Sequence, residues 1–216
     1  MVALPSIPKL IQQTKALAAL DLILSPEWEY RYYSFNARWA ADEQMASMRN
    51  GSGDEWWIVF HKAGWAALKG LDHESSAWSK GRDRLSAALN SVIPPALAGF
   101  AQEPAFRWKE TSFAYFCLSD AAGWKRANDL TEFASITNAG EDELLRHLVG
   151  SAEDYAAFVM DYYEKSVPVE LVSAVFAFQP ITDDLVVSLN SDITIDDISA
   201  ELFDEIGYPP FEASLP

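Results

Sequence analysis

The chain has 216 residues, half of them hydrophobic and 13% aromatic, with a formal net charge of −16. A composition this apolar buries a large core, which excludes a disordered chain and predicts one globular domain over residues 1–216. The negative charge makes nucleic acid and anionic membrane poor partners, because both would be repelled.

The charge is placed unevenly. Residues 1–110 hold 12 acids and 12 Lys or Arg, whereas residues 111–216 hold 20 acids against Lys125, Arg126, Arg146 and Lys165. The entire net charge therefore belongs to the carboxy half. The single cysteine, Cys117, excludes an internal disulfide and a Cys-rich zinc site, and its apolar neighbours predict a buried, inert thiol. Three dispersed histidines complete no standard ligand spacing, so no metal and no cofactor are expected. The amino end lacks the basic start and apolar stretch of a secretory leader. No run approaches the ~20 apolar residues of a membrane span, so a reducing cytoplasm is the expected compartment.

In chain order, a first helix is predicted from Ser6 to Leu24, with Ser6 as its cap, Pro8 in its first turn and an apolar stripe on one side. Ser25-Pro26 ends it, and the aromatic run Trp28–Phe35 reads as a strand. Two further strands are expected at 43–49 and 55–60. They flank Asn50-Gly51-Ser52-Gly53, a strong hairpin signal. A turn at His61–Gly64 leads to a fourth strand, Trp65–Leu71, which makes residues 28–71 a four-stranded antiparallel meander.

Asp83–Val92 and Ala96–Ala101 read as short helices, Thr111–Leu118 as a strand, and 119–140 as a long loop with Trp124 in a short strand. From residue 141 the pattern is helical. Glu141–Val149 ends at Gly150 in the role of a C′ glycine. Ser151 opens the next helix with Asp154 at the capping-box position. Val169–Phe178 is apolar on both alternating faces and predicts a central strand. Thr182 and Thr194 cap two last helices, the second with Asp197 at the box position and Ile198, Leu202 and Ile206 as its stripe. The expected class is α+β, an antiparallel sheet with helices packed on it. Several of the acids fall in first turns, where the helix dipole favours them, so part of the charge belongs to helix architecture.

No phosphate loop, dinucleotide fingerprint, zinc-protease motif, nucleophile elbow or EF-hand loop is present. The one compact group of candidate chemistry is Asp72-His73-Glu74, with His61 twelve residues before His73. A histidine beside carboxylates can act as a general base or a metal ligand; the competing reading is a solvated loop with a capping aspartate. His147 is expected at the surface near a helix C-terminus, where its charge would suit the dipole. Trp28, Trp39, Trp56, Trp57, Trp65 and Trp78 crowd into about fifty residues. Trp56 and Trp57, adjacent in a strand, must face opposite ways; either one is free to bind a partner, or the sheet is covered on both faces.

The leading functional reading is a non-catalytic acidic module that binds a basic protein, in the manner of an inhibitor or immunity-type protein. Asp196, Asp197, Asp204, Glu205, Trp56 and Trp57 are its candidate binding residues. The likeness to acidic bacterial proteins that neutralise basic nucleases is one of charge alone. The alternative is an enzyme or small-ligand binder that uses Asp72, His73, Glu74 and His61 at a tryptophan-lined pocket.

Overall fold

The computed structural model describes residues 2–209, with Lys80 and Asp120 described by their backbone alone. Its frame is one antiparallel sheet whose six strands follow chain order: β1 (Tyr33–Ala40), β2 (Glu43–Arg49), β3 (Glu55–His61), β4 (Ala66–Leu71), β5 (Phe113–Cys117) and β6 (Lys125–Arg126). Helix α1 (Ile7–Leu24) precedes it. Helices α2 (Ser76–Val92) and α3 (Ala98–Gln102) lie between β4 and β5. The helices α4 (Glu141–Leu144), α5 (Arg146–Val149), α6 (Ala152–Tyr162), α7 (Val169–Phe176), α8 (Asp183–Leu189) and α9 (Ile195–Ala200) follow it. This is the α+β architecture expected, an antiparallel sheet with helices on it.

The meander begins later than the aromatic run suggests. Trp28–Tyr30 is a 3-10 turn, and β1 starts only at Tyr33. The backbone N–H groups of Tyr32 and Tyr33 donate to the Asp21 carboxylate (2.9 and 2.6 Å), which pulls the chain onto α1 before it can join the sheet. The hairpin between β2 and β3 is as expected. Gly51 and Gly53 take positive φ, and the Asn50 side chain accepts from the N–H groups of Ser52 and Asp54.

Both faces of the sheet are covered. Tyr33, Phe35, Met48, Trp56 and Phe60 point toward α1 and the carboxy helices. Lys15 of α1 lies over the Phe35 ring, and the Trp56 indole donates to the Leu144 carbonyl (2.9 Å). On the other face Trp57 packs on Phe106, which also meets Trp39 and Phe100. The adjacent tryptophans thus serve two separate aromatic layers.

Three expectations are overturned here. Val169–Phe178 is not a central strand but helix α7, with Val172 and Val175 buried at helical spacing and Phe178 in the left-handed region beyond its end. A short apolar β-branched run carries no decisive period, and here packing against α1 and α6 selects the helix. The element enclosed on all sides is instead α1. Nine consecutive residues, Ala16–Leu24, are buried, so its stripe widens to the whole circumference. Gly150 is not a left-handed C′ residue either, since its φ is −80°. A side chain there would meet the Arg146 carbonyl at 2.8 Å. Helix α2 begins at Ser76 rather than Asp83 because the Ser75 hydroxyl accepts from the Trp78 N–H. The backbone breaks at Gly81, and the break hides the first half from a periodic reading.

Beyond β5, the segment read as a loop contains β6 directly after Trp124. The buried Asn128 side chain continues the pairing, accepting from the Ala114 N–H and donating to the Ser112 carbonyl. No helix among the described residues is long and apolar enough to cross a membrane.

Candidate functional site

The Asp72-His73-Glu74 group forms the turn after β4, where each member has a local partner. The Asp72 carboxylate accepts from the Glu74 N–H, its Cβ lies against Gly140, and its carbonyl accepts from the Ser75 hydroxyl. His73 points to Asp54 in the neighbouring hairpin, which it meets through both its backbone N–H (2.9 Å) and Nδ1 (2.7 Å). That bond and the charge of Asp54 raise the His73 pKa, favouring an imidazolium already engaged. Burial pushes Asp54 up, but the His73 and Asn50 hydrogen bonds more than reverse it, leaving it below the ordinary carboxylate range.

His61 is not part of this group. It ends β3 at the opposite end of the β3–β4 ladder, where its ring stacks on Trp65 (4.6 Å). Among the described residues no three His, Cys, Asp or Glu side chains are arranged to hold a metal. Cys117 is buried, with its thiol directed to the Ser119 carbonyl.

His147 departs from its expected surface position. It is buried beneath the hairpin end of the sheet, with Nδ1 2.6 Å from the Tyr33 hydroxyl and Nε2 3.0 Å from Arg146 Nε. A guanidinium N–H can only donate, so Nε2 is the acceptor and the proton sits on Nδ1, which donates to Tyr33. Burial and the adjacent Arg146 push the His147 pKa down to about 4, consistent with a neutral ring. Nothing in the local sequence marks this burial, which follows from how α5 docks on Tyr33 and Phe158.

Above His147 opens a cleft of about 350 Å³. Tyr32, Phe158 and Tyr162 form its aromatic wall, and Glu143, Arg146 and Asp161 supply its charge. Tyr162 is stacked on Phe158 (5.3 Å) and held edge-on by Tyr32 (5.0 Å) and Tyr163 (4.9 Å), so its ring has little freedom to move. Arg146 is already committed to His147 and to Glu143 (3.0 Å), whereas Asp161 has no ion pair among the described residues.

A larger groove of about 1060 Å³ lies between α2 and the segment from Ile93 to Glu110. Its charges balance, with Arg82, Arg107 and Lys109 against Asp83, Glu103 and Glu110. Trp108 forms part of its wall, and the indole N–H there is buried without a partner among the described residues. Asp72, His73, Glu74 and His61 line neither cavity.

The acids of the carboxy half lie almost entirely outside. From Glu153 to Glu205 there are 13 acids and one cation, Lys165, whose ammonium donates to the Leu24 carbonyl (2.6 Å). Twelve of the 13 are exposed, and among the described residues only Glu201 and Asp204 have ion pairs, with Arg31 and Arg38. Asp196 and Asp197 occupy the first turn of α9, where Asp197 closes a capping box with Thr194. Asp204 and Glu205 lie in the π-helical turn that follows.

Comparison of the chain with protein-family models, with curated proteins and with solved structures finds no match in any of the three.

Proposed function

We propose that this chain is a non-catalytic cytoplasmic module that binds a basic protein, in the manner of an inhibitor or immunity-type protein. The observation that carries the reading is the surface of α6–α9 and the π-helical turn after it, with twelve exposed acids and almost no internal counter-charge. Asp154 and Asp197 close capping boxes, Asp183 accepts from the Ile195 N–H and Asp204 pairs with Arg38, whereas Asp161, Glu164, Glu170, Asp192 and Glu205 make no side-chain hydrogen bond or ion pair among the described residues. A field of one sign steers a partner of the other sign and raises its association rate.

The test is kinetic. A partner recovered from native lysate should associate with the chain at least about tenfold more slowly when salt rises from about 50 to about 500 mM. Asp204 is tied to Arg38, so the cleaner charge reversal is Asp192→Lys with Glu205→Lys, which should slow association and leave dissociation nearly unchanged. A partner whose association ignores both salt and the double variant would refute the reading.

A second reading, small-ligand binding, has the charge-balanced groove beside Trp108 in its favour, since its size and mixed lining suit a compact polar molecule. The Asp72-His73-Glu74 group gives this reading less support, because its hydrogen bonds are turned toward the fold.

A further inference from the structure

Aromatic side chains are numerous in this chain, yet among the described residues only three are largely exposed: Trp28 at 53%, Tyr30 at 60% and Tyr162 at 39%. All three belong to one end of the molecule. Tyr162 touches Tyr32 in the wall of the cleft, and Trp28 and Tyr30 lie four and two residues before Tyr32, in a 3-10 turn that buries none of its residues. Exposed aromatics gathered in one place are the usual anchors of protein interfaces.

The charge around them is mostly negative. Glu27 and Glu29 flank Trp28, Glu143 and Asp161 line the cleft, and Glu164 follows on the same chain segment; all five are exposed. The nearby cations are already engaged: Arg146 with His147 and Glu143, and Arg49 over the Trp28 ring at 4.1 Å. The surface thus already seats one guanidinium on an aromatic face. Tyr32 and Tyr162 both line this cleft, and neither hydroxyl has a hydrogen-bond partner among the described residues.

From this juxtaposition we infer that the hairpin end is the anchoring surface for the basic partner, and that the cleft takes an arginine side chain of that partner against Tyr162 and Asp161. The inference rests on the basic-partner reading above and adds a place and a residue type to it. Arginine fits better than lysine because its planar guanidinium can lie on an aromatic ring while forming two parallel bonds to a carboxylate. The cleft is large enough for one long side chain, and Tyr162 is already fixed by its neighbours, so little freedom is lost on binding.

The probes are two peptides of equal length and charge, an arginine-glycine repeat and a lysine-glycine repeat, titrated at low salt and followed by amide chemical shifts. The arginine peptide should bind more tightly and shift the resonances of Tyr32, Asp161 and Tyr162. Tyr162→Ala should raise its Kd roughly 2- to 30-fold, the range of a single cation–π contact. Asp161→Asn, which leaves the ring packing intact, should also weaken it, and Tyr162→Phe should retain most of the binding. Thermal melts of each variant confirm folding. The inference is overturned if both peptides bind equally and neither Tyr162→Ala nor Asp161→Asn changes Kd. In that event a loss of binding in the Asp192→Lys, Glu205→Lys double variant would leave the basic-partner reading standing. If the double variant also had no effect, both would fall together.

Discussion

The acids inside this protein and the acids on its carboxy helices live under different rules. Asp21, Glu55 and Glu141 are almost fully buried, and each is surrounded by donors. Glu55 takes the Lys69 ammonium (2.9 Å) and Arg107; Glu141 takes Arg126 Nε (2.6 Å) and the Ala139 N–H. Asp21 has no cation and relies on two tyrosine hydroxyls and two backbone N–H groups. The result shows in their titration. Burial alone would push Glu55 up, but Lys69 and Arg107 more than reverse it, whereas burial raises Asp21 to about 6 against the pull of its hydrogen bonds. From α6 to the turn after α9 the acids keep their water, and among the described residues only Glu201 and Asp204 have an ion pair. Interior acids are therefore accounted for by the fold, while the exterior ones call for a reason outside it.

The contrast can be broken first at Glu141. Glu141→Ala leaves the Arg126 guanidinium buried with only Asp129 opposite, and should cost about 3–5 kcal/mol in chemical denaturation. A loss below about 1 kcal/mol would mean that the interior pair is no more essential than a surface one.

Asp21→Asn comes next, at about 1–3 kcal/mol, because an amide cannot accept all four hydrogen bonds. Its pH signature is specific. The folded pKa of about 6 lies above the ordinary 3.8, so the folded state holds the proton more tightly. The Asp21 contribution is therefore fully present below pH 3.8 and is lost as pH rises through about 6. The stability difference between wild type and Asp21→Asn should narrow over that window, and a difference that stays flat would show that Asp21 titrates normally.

Smaller effects belong to the exterior. Asp154→Ala and Asp197→Ala each remove one arm of a capping box and should lower the melting temperature by roughly 2–4 °C. Smallest of all, Asp192→Asn and Glu170→Gln should stay within about 1 °C of wild type. A large destabilisation from either would give these acids a structural role and weaken the case for a partner.

Much of the local plan could be read in the chain before any coordinates. Helix α1, the turn at Asn50–Gly53, the strands on either side of it and the caps at Ser151, Thr182 and Thr194 all depend on neighbours a few residues apart, and each lies where the residues indicate. The one-sided charge is likewise a property of composition. Where distant segments meet, the chain alone was silent or misleading. The run at 169–176 is equally apolar as strand or helix, and its packing on α1 and α6 settles the matter. His147 resembles a surface residue until Tyr33, more than a hundred positions away, closes over it. The cleft draws Tyr32, Asn50, Arg146 and Tyr162 from four separate stretches, so no motif could announce it. Capping, turn chemistry and charge act over a few residues and are written in order along the chain. Burial and pairing depend on which segments become neighbours, and that is settled only when the whole core closes.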